Sequence, residues 1–422
     1  MASALPHLHV RPERIQADLQ ALEGFTDPSL PYTRRAFSKH YREARQWLAG
    51  RFADAGLRVR VDAAGNLIGR LGGDDGPVLM MGSHTDTVEA GGRFDGIVGV
   101  LGALEVVRSL QEADVRLGFP LEVVDFICEE ATLLGLTPLG SRIMSGNLTA
   151  AQIGDERTPF GQSVQQAIGE LGGDFHKLRE ARRNPGDIAG YLELHIEQGP
   201  ELERAGLDLA VVTAIAAPWR GMATIVGSAD HAGATRMPDR RDALAGAAEL
   251  ILAVERIVSS PDLVQESVGT VGWMRISPNM VSVIPGKVEM TVEVRSTQPA
   301  ALTWANDAIN REMGEIAKRR NLDMRLDWQH LEQPVGIPKD MQAAVAQACD
   351  DLGQPFMHLP SRASHDAARL APIAPVGMVF IPCKDGRSHC PEEWAEMRHI
   401  ALGTRVLGQA LLRLNERLAA RS

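Results

Sequence analysis

The sequence predicts an α/β protein in which a larger domain, residues 1–212 and 331–422, is interrupted by a smaller α+β domain at 213–330. Three observations predict this arrangement. Helical and strand-like patterns alternate from about residue 12 to 210, as in α/β layer folds. Between 213 and 330 the order becomes β-α-β-β-α-β, the split motif of ferredoxin-like domains, which is compact enough to fold as an insertion. After 331 the alternation resumes and finishes in a helix over 396–419.

Each element has a local reason. Over 38–55, Tyr41, Ala44, Trp47, Leu48 and Phe52 recur at helical spacing. Residues 59–61, 121–127 and 191–196 read as strands, and the apolar run 78–81 as a short buried strand that stops at His84. In the smaller domain the strands are 222–228, 268–276, 287–295 and 323–329, and the helices 240–258 and 300–319. Leu244, Ala247, Ala248, Ile251, Val254 and Val258 mark the inward face of the first of these helices. No repeat or low-complexity linker interrupts the pattern.

Composition narrows the chemistry. With 422 residues, 44% of them hydrophobic, the chain is large enough for two cores. A net charge of −10 argues against nucleic acid as a partner, because phosphate binding needs basic surface. The N-terminal residues lack the apolar stretch of a signal peptide, and no apolar run reaches membrane-spanning length. Four cysteines form no CxxC pair. A reduced, cytoplasmic enzyme without a membrane partner is the expectation.

Five segments carry functional groups. Residues 82–104, GSHTDTVEAGGRFDGIVGVLGAL, bring His84, Asp86 and Asp95 close together ahead of a glycine-containing apolar helix. Imidazole and carboxylate together suit Zn²⁺ or another divalent transition metal. Glu129 and Glu130 end an apolar strand, where one acid can hold metal while the other handles protons. His195 lies within an apolar strand that runs into Glu197-Gln198-Gly199-Pro200. His231 sits in the smaller domain among small residues that leave it uncovered. His389 precedes Pro391-Glu392-Glu393, a pattern that predicts a proline-started helix with acids in its first turn. Taken singly, these residues also admit core histidines, solvated acids and an exposed turn histidine.

Together the segments resemble one family. GSHTDTVEAGGRFDGIVGV, HIEQGPELE, HAGAT, SPNMVSVIPG and GRSHCPEE occur in the order found in the amidase, hydantoinase/carbamoylase family. That family comprises N-carbamoyl-L-amino acid hydrolases, β-ureidopropionases and allantoate amidohydrolases, within the aminoacylase–dipeptidase metallohydrolase superfamily. The resemblance implies a larger catalytic domain holding two divalent metal ions per subunit (Zn or Mn, with Co or Ni also suited), and a smaller lid and dimerisation domain. It implies that His84 and His195 hold one ion, Glu130 and His389 the other, and that Asp95 bridges them. It assigns Asp86 to orienting His84, Glu129 to general-base work, and His231 to stabilising the oxyanion, by analogy across a homodimer joined through the smaller domains.

For the substrate, the resemblance implies that Asn279 and Arg295 clamp a carboxylate, with Gln198 a further polar contact. The residues alone equally admit an ion pair of Arg295 with Glu293 or Glu289 and a turn-shaping Asn279. Three segments depart from the family pattern. Ala131-Thr132-Leu133-Leu134 replaces Gly-Ser-Arg-Phe, Ala234 and Arg236 alter the histidine motif, and Arg362 and Ser364 replace glycines before His365. Arg362 and Ser364 are expected to narrow the pocket or supply charge for a second acidic group. The implied reaction is hydrolysis of a linear carbon–nitrogen bond, foremost that of an N-carbamoyl-L-amino acid to amino acid, ammonia and carbon dioxide. Allantoate and N-acyl amino acid or dipeptide hydrolysis are the alternatives in the same superfamily, and a non-catalytic binding protein is the alternative outside it.

Overall fold

The structure is a computed structural model that describes residues 5–420 apart from 7, 131, 134 and 261–266. The chain forms two compact units, one of residues 1–213, 337–359 and 365–422, the other of residues 214–336 and 360–364. The short segment 360–364, which includes Arg362 and Ser364, packs with the second unit although its neighbours on both sides belong to the first.

The strands, in chain order, are β1 (Arg58–Val61), β2 (Leu67–Leu71), β3 (Val78–His84), β4 (Leu121–Phe126), β5 (Ile188–Ile196), β6 (Ala210–Ile215), β7 (Ala217–Val226), β8 (Ser267–Thr270), β9 (Met274–Ser277), β10 (Lys287–Ser296), β11 (Asp323–Leu331), β12 (Val335–Gly336), β13 (Met357–Ser361) and β14 (Val376–Ile381). In the first unit the sheet runs β1-β2-β4-β3-β5-β14-β6. Its centre is parallel: β4 with β3, β3 with β5, and β5 with β14. Strands buried on both faces read as near-continuous apolar runs. β3, β4 and β14 are buried at every position. Two buried acids of β4 are paired: Arg45 Nη1 donates to Asp125 Oδ2 at 2.9 Å, and Arg70 and Arg183 lie 3.1 and 2.7 Å from Glu122.

Helices cover this sheet. Lys39–Asp54 begins where Ser38 accepts the amide of Tyr41, and it buries Tyr41, Ala44, Leu48 and Phe52. Ile97–Glu112 is buried over fourteen consecutive residues. The last helix, Met397–Ala419, packs on the helices Lys339–Asp351 and Ile97–Glu112. No helix of the described residues is long and apolar enough to cross a membrane.

In the second unit the sheet order is β11-β7-β10-β8, with β9 also on β10, and every pairing is antiparallel. With helices Ala243–Val258 and Pro299–Arg320 this is the β-α-β-β-α-β order read from the sequence. Ala223, Ile225, Leu250, Val254, Val288, Met290, Val292, Leu302 and Ile309 form the core between the sheet and these helices.

Three local expectations are corrected. The strand expected over 268–276 is two strands, β8 and β9, both on β10. Helix Ala243–Val258 buries Gly246, Ala247, Leu250, Ala253 and Ile257, whereas Ala248 is exposed and Leu244 and Ile251 only half-buried. It is apolar on more than one face, so periodicity alone did not choose the inward one. No helix starts at Pro391; the chain turns there and the helix begins at Met397, because Glu393 is drawn inward instead of capping a helical turn.

Leu250 is fully buried in the second unit. Leu250→Ala should lower stability by about 2–5 kcal/mol, the usual cost of a buried leucine cavity, read as a shifted midpoint of urea unfolding.

Candidate functional site

The site occupies the carboxyl ends of β4, β3, β5 and β14, where ligands collect in open parallel sheets. β3 ends at His84, β4 leads to Glu129 and Glu130, β5 carries His195 next to its end, and the segment after β14 carries Ser388, His389 and Glu393. Asp95 comes from the loop between β3 and helix Ile97–Glu112.

Asp95 stands at the centre. Its Oδ1 lies 3.2 Å from His195 Nε2 and 3.8 Å from His84 Nε2. Its Oδ2 lies 3.2 Å from His389 Nε2, and His389 Nε2 lies 3.3 Å from Glu130 Oε1. Two donor groups able to hold a cation therefore share this carboxylate: His84–Asp95–His195 and Asp95–Glu130–His389. A third such group, Glu193–His195–His365, shares His195.

The imidazoles are oriented by backbone. His84 Nδ1 is 3.0 Å from the carbonyl of Asp86, and His195 Nδ1 is 2.9 Å from the carbonyl of Ile196. Both Nδ1 atoms therefore carry the hydrogen, and both Nε2 lone pairs face inward. Gly96 N donates to His195 Nε2 at 3.2 Å, in keeping with that tautomer. Gly96 is held at φ +68, and a Cβ there would lie 2.3 Å from His84 Nε2. Only glycine fits.

Glu129 lies beside, not within, either group, with Oε2 3.8 Å from His84 Nε2. Burial drives its pKa well above the ordinary carboxylate value, with His84 opposing and Asp366 and Glu130 reinforcing. Burial opposes charge on His84, but the carboxylates of Glu129, Asp86 and Asp95 outweigh it and raise its pKa. Burial likewise opposes charge on Asp95, yet the neighbouring imidazoles of His195 and His389 hold its pKa well below normal.

Three of these residues make contacts besides those the resemblance implied. Asp86 orients His84 through its backbone carbonyl; its carboxylate instead accepts the amides of Glu129 and Glu130, each at 3.2 Å, and so shapes the turn that presents both acids. Gln198, expected at the substrate, donates from Nε2 to Asp95 Oδ2 at 2.6 Å. Arg295 forms the ion pair that the residues alone admitted, with Nε 2.6 Å from Glu293 Oε1, and Arg220 pairs with the same carboxylate.

All five metal-site candidates, with Asp86, Glu129 and Gln198, come together in the first unit; His231, Asn279, Arg295, Arg362 and Ser364 belong to the second. Within that unit His231 is exposed, and its Nδ1 accepts the amides of Gly233 and Ala234 at 3.0 and 3.1 Å. Its Nε2 consequently carries the hydrogen. Asn279 is exposed, with φ 57. Ala131 and Leu134 of the altered segment lie outside the described residues, while Leu133 is buried in an apolar cluster.

Sequence reasoning missed two residues that hold the site. Glu393 is buried, and its Oε1 accepts the amides of Phe94 at 2.8 Å and Asp95 at 3.1 Å. Ser388 Oγ lies 2.7 Å from Glu393 Oε2 and 2.8 Å from Asp95 Oδ2. A Cβ at Gly92 would fall 2.0 Å from the Glu393 carboxylate, so that glycine leaves the room Glu393 fills. The signal available was an acid two residues after a proline, which fits a helix start equally well. His365 was quoted only as part of an altered loop; its buried ring stacks edge-on to His195 with centroids 4.5 Å apart.

Comparison with known proteins assigns the family. The chain matches Peptidase family M20/M25/M40 over residues 80–413. It belongs to that family. It is 40% identical over 403 residues to an N-carbamoyl-L-amino acid amidohydrolase of Geobacillus stearothermophilus, covering 94% of this chain and 97% of that one. A ureidoglycolate hydrolase of Arabidopsis thaliana is 35% identical, covering 95% of this chain and 86% of its own. The crystal structure of an amidase of the hydantoinase/carbamoylase family from Burkholderia multivorans superposes with a TM-score of 0.85 at 34% identity, covering 97% of this chain and 99% of that one. The resemblance to amidohydrolases read from the five motifs holds, and the chain is a hydrolase of carbon–nitrogen bonds other than peptide bonds.

Removing Glu393 would strand two buried amides. Glu393→Ala should cost about 1–3 kcal/mol for each N–H left without an acceptor, whereas Glu393→Gln, whose carbonyl accepts both, should cost less; urea unfolding of the two variants reads the difference.

Proposed function

We propose that this amidohydrolase cleaves the carbamoyl amide of an N-carbamoyl-L-amino acid, releasing the amino acid, ammonia and carbon dioxide, with two divalent cations per subunit. The observation that carries the reading is the pair of donor groups joined by Asp95, with Glu129 at their edge and outside both. The donor set fits such ions: imidazoles with inward Nε2 atoms, carboxylates between them, and no thiolate. His84, His195 and Asp95 Oδ1 would hold one cation, and Glu130, His389 and Asp95 Oδ2 the second. Cations held there would lower the pKa of water and polarise the scissile carbonyl.

The chain's own residues supply the rest. Glu129 Oε2 takes a proton from the attacking water and returns it to the leaving nitrogen. Its raised pKa suits both halves of that transfer. His231 Nε2–H donates to the oxyanion as the carbonyl turns tetrahedral, its Nδ1 being engaged by two backbone amides. Arg295 and Asn279 clamp the substrate carboxylate, for which a guanidinium offers a planar fork. Arg362 and Ser364 act on the selectivity for the substrate side chain. The enzyme works in the cytoplasm as a homodimer joined through the second units. One other reading has a specific observation behind it: hydrolysis of a ureido acid, in view of the ureidoglycolate hydrolase relative.

Ammonia release from N-carbamoyl-L- and D-amino acids, N-carbamoyl-β-alanine, allantoate and ureidoglycolate, with the protein loaded separately with Zn²⁺, Mn²⁺ or Co²⁺, tests the assignment. Turnover confined to the L-carbamoyl compounds is expected; turnover of ureidoglycolate alone would transfer the assignment to the second reading. Glu129→Gln should lower kcat by about 10²–10⁴-fold while metal content stays at two per subunit. Loss of metal in that variant would remove Glu129 from its role. Arg295→Ala should raise KM for the carboxylate substrate and leave metal content unchanged; unaltered kinetics would take it out of the clamp.

A further inference from the structure

Three charged side chains share one face of the second unit's sheet. Val288, Met290, Val292 and Val294 of β10 turn inward to the core, so Glu293 and Arg295 turn the other way. Arg220 of β7 stands opposite Glu293 in the ladder and therefore on that same face. Both arginines use the one carboxylate. Arg295 Nε donates to Glu293 Oε1 at 2.6 Å; Arg220 Nε donates to Oε2 at 2.6 Å, and Arg220 Nη2 donates to the same oxygen. Burial opposes charge on Glu293, yet Arg295 and Arg220 outweigh it and hold its pKa below the ordinary value. Two guanidinium charges against one carboxylate leave a positive surplus, and the surplus has a definite place. Arg220 directs two donors at Oε2, whereas Arg295 gives only Nε; among the described residues neither Nη group of Arg295 has a hydrogen-bond partner. Its side chain is 32% exposed, so that outer edge can be reached by a solute. Paired N–H groups on such an edge are what a carboxylate binds in a fork.

We infer that Arg220 is a positioning residue for substrate binding: it neutralises Glu293, so that Glu293 orients Arg295 through Nε without cancelling the charge with which Arg295 meets the substrate carboxylate. This rests on the reading of Arg295 as a carboxylate clamp given above. A Glu293–Arg295 pair by itself would be electrically neutral, and a neutral pair attracts an anion weakly. Arg220 acts through Glu293 and need not touch the substrate. The inference therefore concerns charge: any residue at 220 that leaves Glu293 uncompensated should weaken the clamp, and removing the charge of Glu293 as well should restore it.

Steady-state kinetics of the metal-loaded enzyme test this, with an N-carbamoyl-L-amino acid or, if it alone releases ammonia, ureidoglycolate. Arg220→Met should raise KM about 10-fold, the weight of one charge-assisted contact, with kcat within about twofold of the parent. Arg220→Gln, which keeps a hydrogen bond to Glu293 but no charge, should do the same, and it carries the test should the methionine variant fail to fold. Arg220→Lys, which keeps the charge, should stay near the parent. Arg220→Met combined with Glu293→Gln should bring KM back towards the parent value, because the charge on Arg295 is again uncompensated while the glutamine oxygen still accepts its Nε. An unchanged KM in both neutral variants, a fall in kcat in place of the rise in KM, or a double variant no better than Arg220→Met overturns the inference. Recovery in the double variant is a readout that a merely structural role for Arg220 would not give. Unaltered kinetics in Arg295→Ala would overturn the clamp itself, a separate result; a raised KM there beside an unaltered one in the Arg220 variants rejects only the part given to Arg220.

Discussion

Everything at the site depends on how the Asp95 carboxylate is held. It is the one acid shared by both donor groups, and each of its oxygens belongs to a different group. Such sharing demands that the carboxylate neither rotate nor shift, since a small rotation would favour one group at the expense of the other. The protein meets the demand from two directions. Glu393 anchors the backbone amides of Phe94 and Asp95, while Ser388 and Gln198 hold the side-chain oxygen. Those anchors lie in two parts of the chain, around residues 198 and 388–393, both distant from Asp95, so a site that spans the sheet is tied together through a single residue.

The sheet makes that convergence possible. Parallel strands end on the same edge, and four neighbouring ones end here with a functional side chain at or just past the terminus. Register carries this further: His84 lies opposite Phe126 and His195 opposite Phe380. The imidazoles thus start from rigid, fully buried backbone, and their hydrogens go to carbonyls of the next turn rather than to other side chains. Glycines complete the fit where the chain must pass against a ring or a carboxylate, at Gly96 and Gly92. Precision at the site is therefore a consequence of strand pairing and close packing more than of the ligands themselves.

Buried charge is arranged on the same principle. A charge away from water is tolerated where it is paired or hydrogen-bonded. Asp125 is held by Arg45, Glu122 by Arg60, Arg70 and Arg183, and Asp86 by two backbone amides. Glu129 has no such full set of donors, and its burial keeps a proton on it to a higher pH than an ordinary glutamate. Burial also raises the pKa of Asp86 to about 6 and that of Asp366 to about 8, so several acids around the site, and not Glu129 alone, hold their protons to a higher pH.

Much of this was legible without coordinates. The α/β alternation and the inserted β-α-β-β-α-β unit rest on local periodicity, whereas the set of five acids and histidines was implied by the resemblance of five motifs to one family, each residue alone admitting a structural role as well. What the sequence by itself determined, then, was which groups could meet and on what kind of scaffold. The tertiary structure decided how each is held. Glu393 reads locally as a helix-start acid, and only its contact with an amide 298 residues away draws it into the core. Gln198 reads as a polar loop residue free for a ligand, yet packing turns it onto Asp95. Asp86 sits two residues from His84, close enough to suggest a carboxylate–imidazole pair, but backbone geometry lets its carbonyl do that work and frees the carboxylate for the Glu129–Glu130 turn. In each case the outcome depends on the direction of a side chain across the fold, and direction is set by contacts between residues far apart in the chain, which periodicity and composition do not encode.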